Sequence, residues 1–255
     1  MNPADRFSLK DRYALVIGGT SGIGKAIATG FLQAGARVIV AGKNEEKLRR
    51  AVDELKQHGQ AFGYAADVRD DAAIRGLVGQ TLAHHGHLDI LVNCQGMTTL
   101  KPAVEFTAAD WDEVIGTNLR SVFVACQEVG HHMLGRGKGC ILNIGSLASY
   151  RGWPRAALYG MAKTAVVSLT ETLAAEWAKN DVRVNALAPG FFMTELNRDK
   201  MAPERKALAL ARTPAGRFGE VEELVGAAIF LCSDAAGFVT GETVRVDGGF
   251  LASGL

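Results

Sequence analysis

Short, near-continuous apolar runs alternate with longer stretches of helical periodicity from one end of the chain to the other. The runs are Tyr13–Ile17, Arg37–Ala41, Ala61–Ala66, Leu88–Asn93, Cys140–Ile144, Val182–Leu187 and Thr243–Val246. Between them, Gly24–Ala34, Glu45–Gln57, Ala72–His85, Ala108–Leu134, Ala156–Lys179, Thr194–Ala211 and Val221–Cys232 read as helices, with Thr107 as an N-cap. A strand that is apolar on both faces must be covered on both, as in a parallel sheet between helical layers. With right-handed crossovers, the pattern predicts an α/β fold: a doubly wound, Rossmann-type sheet of seven parallel strands with helices on both faces. No linker, charge block or internal repeat divides the sequence, so a single domain over residues 1–255 is expected. Pro189–Phe218 breaks the rhythm, and an excursion of that length reads as a substrate lid.

Composition narrows the function classes. Lys plus Arg number 28 and Asp plus Glu 27, a net charge of +1, which leaves no electrostatic footprint for nucleic acid or an anionic membrane. The 30 glycines against 6 prolines, without a repeat, point to tight turns and close backbone approach. Cys94, Cys126, Cys140 and Cys232 lie apart in apolar stretches and read as buried thiols in a reducing compartment. The histidines lack partners at ligand spacing, so no metal is expected. No apolar run approaches the ~18 residues of a membrane span, and the N-terminus has no apolar core after its charges. The expectation is a cytoplasmic protein.

The segment Gly18-Gly19-Thr20-Ser21-Gly22-Ile23-Gly24 joins the first strand to the first helix. In a doubly wound sheet this turn lies where ligands bind, and the helix N-terminus offers free N–H groups to a pyrophosphate. The strict GxGxxG spacing is absent; the glycines stand as Gly18-x3-Gly22-x-Gly24. A ribose 2′-hydroxyl is usually held by a carboxylate at the end of the second strand. Here that place reads Ala41-Gly42-Lys43-Asn44. A lysine attracts a 2′-phosphate, so Lys43 favours NADP over NAD. The same residue also suits a solvated lysine opening a charged helix.

Tyr159 and Lys163, four apart in a helical pattern, share one face. A neighbouring ammonium is expected to lower the phenol's pKa and fit it for proton transfer. Ser146 follows the fifth strand, where its hydroxyl can hold a reacting oxygen; a turn or capping serine is the plainer reading. Asn118 lies inside a long helix, a poor place for Asn. It reads either as an exposed residue or as a backbone distortion holding a water near Lys163.

Taken together, these residues resemble the short-chain dehydrogenase/reductase family over roughly residues 8–250. The resemblance rests on the glycine turn, Asp67-Val68, Asn93-Cys94-Gln95-Gly96, Asn118, Ser146, Tyr159-x3-Lys163, Pro189-Gly190-x3-Thr194 and Val246-Asp247-Gly248-Gly249. It implies a catalytic tetrad of Asn118, Ser146, Tyr159 and Lys163. It implies that Asp67 and Val68 border the adenine and that Asn93 and Gly96 lie along the cofactor. Pro189, Gly190, Thr194 and the backbone of Phe192 would meet the nicotinamide, and Lys163 its ribose. Three positions depart from the family pattern: Ile17 for Thr, Cys94-Gln95 for Asn-Ala, and Gly145 for Ser. A homotetramer is also implied, with Ala108–Leu134 and Ala156–Lys179 between subunits.

Thr213–Glu220, Val221–Ala228 and the tail from Gly248 most resemble sugar-acid dehydrogenases of the gluconate 5-dehydrogenase type. The 3-oxoacyl-carrier-protein reductases share nearly the whole framework. A small carbonyl or alcohol substrate is implied, walled by Trp153, Phe191 and Phe192. Arg151 or Arg155 either pairs with a substrate carboxylate or is solvated. A reading from another class is a regulatory protein that binds NADP without turnover, against which the intact tetrad stands.

Overall fold

The computed structural model describes residues 2–194 and 201–253. Its strands are β1 (Tyr13–Ile17), β2 (Arg37–Gly42), β3 (Ala61–Ala65), β4 (Ile90–Asn93), β5 (Gly139–Ile144), β6 (Val182–Pro189) and β7 (Thr243–Val246). They form one parallel sheet in the order β3-β2-β1-β4-β5-β6-β7. The sequence wound outward from β1 in one direction and then, from β4, in the other, so the two halves diverge between β1 and β4.

Alternation along each strand sends neighbouring side chains into different layers. Ala14 and Val16 pack with Ile27, Phe31 and Leu231 on one face, carried by α1 (Gly22–Gln33), α2 (Glu45–Leu55) and α8 (Val225–Cys232). Leu15 and Ile17 pack with Leu77, Val129 and Val166 on the other, carried by α3 (Asp71–His85), α5 (Ser121–Arg136) and α6 (Ala157–Trp177). Both faces of β1 are therefore dry, as its unbroken apolar run requires. The helices begin where polar residues cap them. Asn44 accepts from Lys47 N at 2.8 Å, and Asp70 from Ala72 N at 2.9 Å. Thr107 and Asp110 form a reciprocal capping box at the start of α4 (Ala108–Ile115).

The helix expected over Ala108–Leu134 is not continuous. A π turn, Gly116–Arg120, separates α4 from α5. Asn118 Nδ2 donates to the Val114 carbonyl at 2.8 Å, taking up an acceptor of the turn before it, and the backbone widens there. Of the expected Thr194–Ala211 helix, the described residues show α7 over Pro203–Arg212, and residues 195–200 lie outside the described residues. Val221–Cys232 opens with a 3-10 turn, Val221–Leu224, before α8. No helix among the described residues is long and apolar enough to cross a membrane.

Candidate active site

The strand register sets Ile17 level with Asn93, and Asn93 level with Asn143. The loops leaving β1, β4 and β5 therefore meet at one edge of the sheet, at the topological switch point. A cleft of ≈ 900 Å³ opens there. Gly18 forms its floor with φ +78°, and a Cβ at that position would lie 2.8 Å from the Cys94 backbone. Only a glycine satisfies both the left-handed backbone and that approach. The first turn of α1 follows, and Ser21 at its N-cap makes no side-chain capping bond. The exposed N–H groups of that turn border the cleft, as an anion requires.

At one end of the cleft lie Thr20, Lys43, Lys47, Asp67, Val68, Arg69 and Glu113. Lys43 Nζ stands 2.9 Å from an Asp67 carboxylate oxygen, and Arg69 contacts the same oxygen at 3.1 Å. Hydrogen bonds from Arg69, then Lys43, hold the Asp67 carboxyl well below the usual carboxylate range. Its charge is already spoken for, and β2 ends at Gly42 with no carboxylate of its own. The lysines and Arg69 leave this corner suited to a phosphate, so the residues fit a dinucleotide carrying a 2′-phosphate. Lys47 and Arg69 were not singled out from sequence; Lys47 lies in the first turn of α2, four residues after Lys43, and Arg69 two residues after Asp67.

At the other end are Ser146, Tyr159 and Lys163. Lys163 is 3% exposed, and its Nζ donates to the Ile144 carbonyl at 2.7 Å. The same Nζ lies 5.9 Å from the centroid of the Tyr159 ring. Burial draws the Lys163 pKa down to about 8. The Ser146 hydroxyl is a hydrogen-bond partner of the Tyr159 phenol and accepts from Ala148 N at 3.1 Å. Ser146 is thus both the capping serine of the plainer reading and a neighbour of the phenol. The expectation that the ammonium lowers the phenol's pKa is corrected. Burial raises it, more than the Ser146 hydrogen bond lowers it, while the ammonium donates to the Ile144 carbonyl.

Asn118 is fully buried. Its amide donates to the Met97 carbonyl at 2.9 Å and accepts from Met97 N at 3.1 Å, pinning the loop after β4. Gly96 lies between this amide and the ammonium: a Cβ there would be 3.0 Å from Asn118 Oδ1 and 3.6 Å from Lys163 Nζ. The π turn is thus what brings Asn118 to the wall behind Lys163.

Gly22, Ile23, Gly24, Pro189, Gly190 and Thr194 also line the cleft. Two expected cofactor residues do not. Asn93 is 1% exposed and donates to Asn143 Oδ1 at 2.9 Å, a cross-strand tie inside the sheet. Phe192 bridges to Gly219 in an extended segment, so its ring turns inward while the neighbouring Phe191 faces the cleft. That also removes the Phe192 ring from the substrate wall. Trp153 and Phe191 both line the cleft, with ring centroids 5.6 Å apart, and Phe250 packs against them at 6.0 and 5.6 Å. Arg151 and Arg155 are exposed and do not line the cleft. Met97, Thr98 and Leu100 line it without having been expected, since they come from a loop that only the tertiary fold brings there; Met201 and Arg205, which also line it, belong to the Pro189–Phe218 excursion. No group of three metal-ligating side chains occurs among the described residues.

Comparison with known proteins gives the same picture. The model of the family described as Enoyl-(Acyl carrier protein) reductase matches residues 18–251. Gluconate 5-dehydrogenase of Gluconobacter oxydans (strain 621H) is 41% identical over 255 residues, covering 99% of this chain and 100% of that protein. A 3-oxoacyl-acyl-carrier-protein reductase of Thermotoga maritima is 36% identical over 244 residues, covering 95% and 99%. A solved gluconate 5-dehydrogenase from Burkholderia cenocepacia J2315, in complex with NADP and tartrate, superposes with a TM-score of 0.93 at 40% identity, covering 98% of this chain and 99% of that one.

Proposed function

The chain belongs to the short-chain dehydrogenase/reductase family, enzymes that act on CH–OH groups, and from that premise we propose that this one uses NADP to interconvert a sugar acid and its keto form. The carrying observation is the cluster of Ser146, Tyr159 and Lys163 at one end of a glycine-floored cleft whose far end holds Lys43, Lys47 and Arg69. The 41% identity to a gluconate 5-dehydrogenase across the whole chain supports the substrate class.

Bound NADP(H) supplies or accepts the hydride at its nicotinamide, and oxidised nicotinamide brings a positive charge. In this reading the glycine turn and the N-terminus of α1 hold the pyrophosphate, and Thr20, Lys43 and Lys47 surround the 2′-phosphate. Val68 borders the adenine. Pro189, Gly190 and Thr194 flank the nicotinamide end. Ser146 donates a hydrogen bond to the reacting oxygen and stabilises its developing charge. Tyr159 gives that oxygen a proton in reduction and takes one in oxidation. Its raised pKa suits the acid role; oxidation relies on the positive charges of Lys163 and oxidised nicotinamide to favour the phenolate. Asn118 acts through Met97 and Gly96, fixing the wall beside Lys163. Trp153 and Phe191 exclude water from the substrate side.

We place the enzyme in the cytoplasm as a homotetramer. Four free thiols suit a reducing compartment. Trp111 on α4, Phe123 on α5 and Met161 on α6 are 46%, 47% and 51% exposed, apolar area that suits subunit contacts.

A kinetic screen tests the substrate class: keto-sugar acids, acetoacetyl thioesters and simple ketones, each with NADPH and NADH. The proposal expects the highest kcat/KM with a keto-sugar acid and NADPH. Preference for the thioester would instead install the reductase reading that the Thermotoga relative supports. Replacing Lys43 with Asp is expected to raise the KM for NADP at least about 10-fold and leave that for NAD unchanged or lower. An unchanged NADP/NAD ratio would remove Lys43 from the phosphate site.

A further inference from the structure

Among the charged residues lining the cleft, Lys43, Lys47, Asp67, Arg69 and Glu113 gather at the end assigned to the 2′-phosphate. The remaining two are the buried Lys163 and Arg205. Arg205 sits on α7, one helical turn before Ala209, which is 4% exposed. Residues four apart share a helix face, so Arg205 lies on the inward face of α7 and its stem leans back toward the helix N-terminus. Met201, just before that helix, lines the cleft with it. Arg205 is half-buried, and no ion pair or hydrogen bond joins its guanidinium to another described residue. The ion pairs of the adenine corner take up the Asp67 and Glu113 carboxylates, both through Arg69. No other Asp or Glu is among the described residues lining the cleft.

A guanidinium fork on an inward helix face, without a carboxylate among the described residues to meet it, suits an anion. We infer that Arg205 binds the carboxylate of the substrate and makes the enzyme select a sugar acid over its neutral polyol. This rests on the sugar-acid reading above. It also replaces Arg151 and Arg155 as the carboxylate partner, since neither faces the cleft. The turn at the start of α1 already offers N–H groups to the cofactor's pyrophosphate, which leaves Arg205 for the substrate.

The test is equilibrium titration of the NADPH-loaded protein with sodium gluconate and with glucitol, the polyol lacking the carboxylate, in wild type, Arg205→Leu and Arg205→Lys. Turnover of the same two compounds with NADP is measured in parallel. In Arg205→Leu the Kd for gluconate is expected to rise about 10- to 100-fold, while the Kd for glucitol and that for NADPH stay within about 2-fold. Arg205→Lys, which keeps the charge and loses the fork, should recover part of the loss. The inference is overturned if gluconate affinity is unchanged, if gluconate and glucitol weaken together, or if NADPH affinity falls instead, which would hand Arg205 to the cofactor. Wild-type protein that does not bind gluconate overturns it as well. Failure of the sugar-acid reading shows separately, as binding of gluconate without turnover.

Discussion

Lys163 is a buried ammonium in the cleft. Its ammonium is 3% exposed and satisfied at Nζ by one carbonyl, so burial disfavours the charged form and the pKa falls from 10.5 to about 8. The unfolded chain therefore binds the extra proton more tightly between those values, and stability gained from this residue rises with pH across that window. Below about pH 8 the buried charge is a liability of about 3 kcal/mol. Lys163→Met should accordingly unfold at higher denaturant than wild type at neutral pH, with the gap closing as pH approaches 10.5. Comparing the two proteins cancels the contributions of Cys126 and Tyr159, which titrate with the opposite sign, while Cys94, which feels the Lys163 charge, shifts further up in the variant. A gap that does not change with pH would show that the ammonium is not desolvated. The Tyr159–Lys163 spacing was legible in the sequence because a helix makes residues four apart neighbours. The direction of the phenol's shift was not, because it is set by burial, which depends on how the elements pack around the ring.

At the scale of the element, the π turn is the feature on which the site's wall depends. Ala108–Leu134 has helical spacing throughout, so a continuous helix was the natural reading; Asn118 was the one residue out of place. Its amide holds Met97 on both sides and Val114 besides. Asn118→Ala would leave the Met97 N–H and two carbonyls without these partners. Denaturant unfolding is expected to show a loss of about 2–4 kcal/mol, with kcat falling more than KM rises. A loss below about 0.5 kcal/mol would mean that the loop after β4 is held by other contacts. The inner strands were readable as apolar runs because β1, β2, β4, β5 and β6 are buried on two faces. Asn93 was misplaced for a related reason: its position at the end of β4 was right, but the pairing with Asn143 that turns its amide inward is set by strand register.

The whole molecule divides labour along one edge of the sheet. One end of the cleft gathers Lys43, Lys47 and Arg69, and the other holds the Tyr159–Lys163 pair, proposed to move the proton, near Trp153 and Phe191. Sequence motifs reported the parts built from a single turn or helix. Phe250 escaped because the stack it completes with Trp153 and Phe191 unites segments far apart in the chain, and Arg205 was covered only as part of the Pro189–Phe218 excursion. The exposed apolar side chains of α4 to α6 lead to an expectation at this scale too. Light scattering should give four times the chain's mass, and Phe123→Glu should lower it; a wild-type monomer would contradict the assembly.

The central claim is that the Tyr159 hydroxyl moves the proton while the cofactor moves the hydride. The most direct measurement is single-turnover reduction of a keto-sugar acid by NADPH, followed by loss of reduced-nicotinamide absorbance, in wild type and Tyr159→Phe. The account predicts that the variant binds NADPH within about 2-fold of wild type but reduces substrate at least about 1,000-fold more slowly. Reduction at a rate within about 10-fold of wild type would contradict it, because the proton would then be coming from elsewhere.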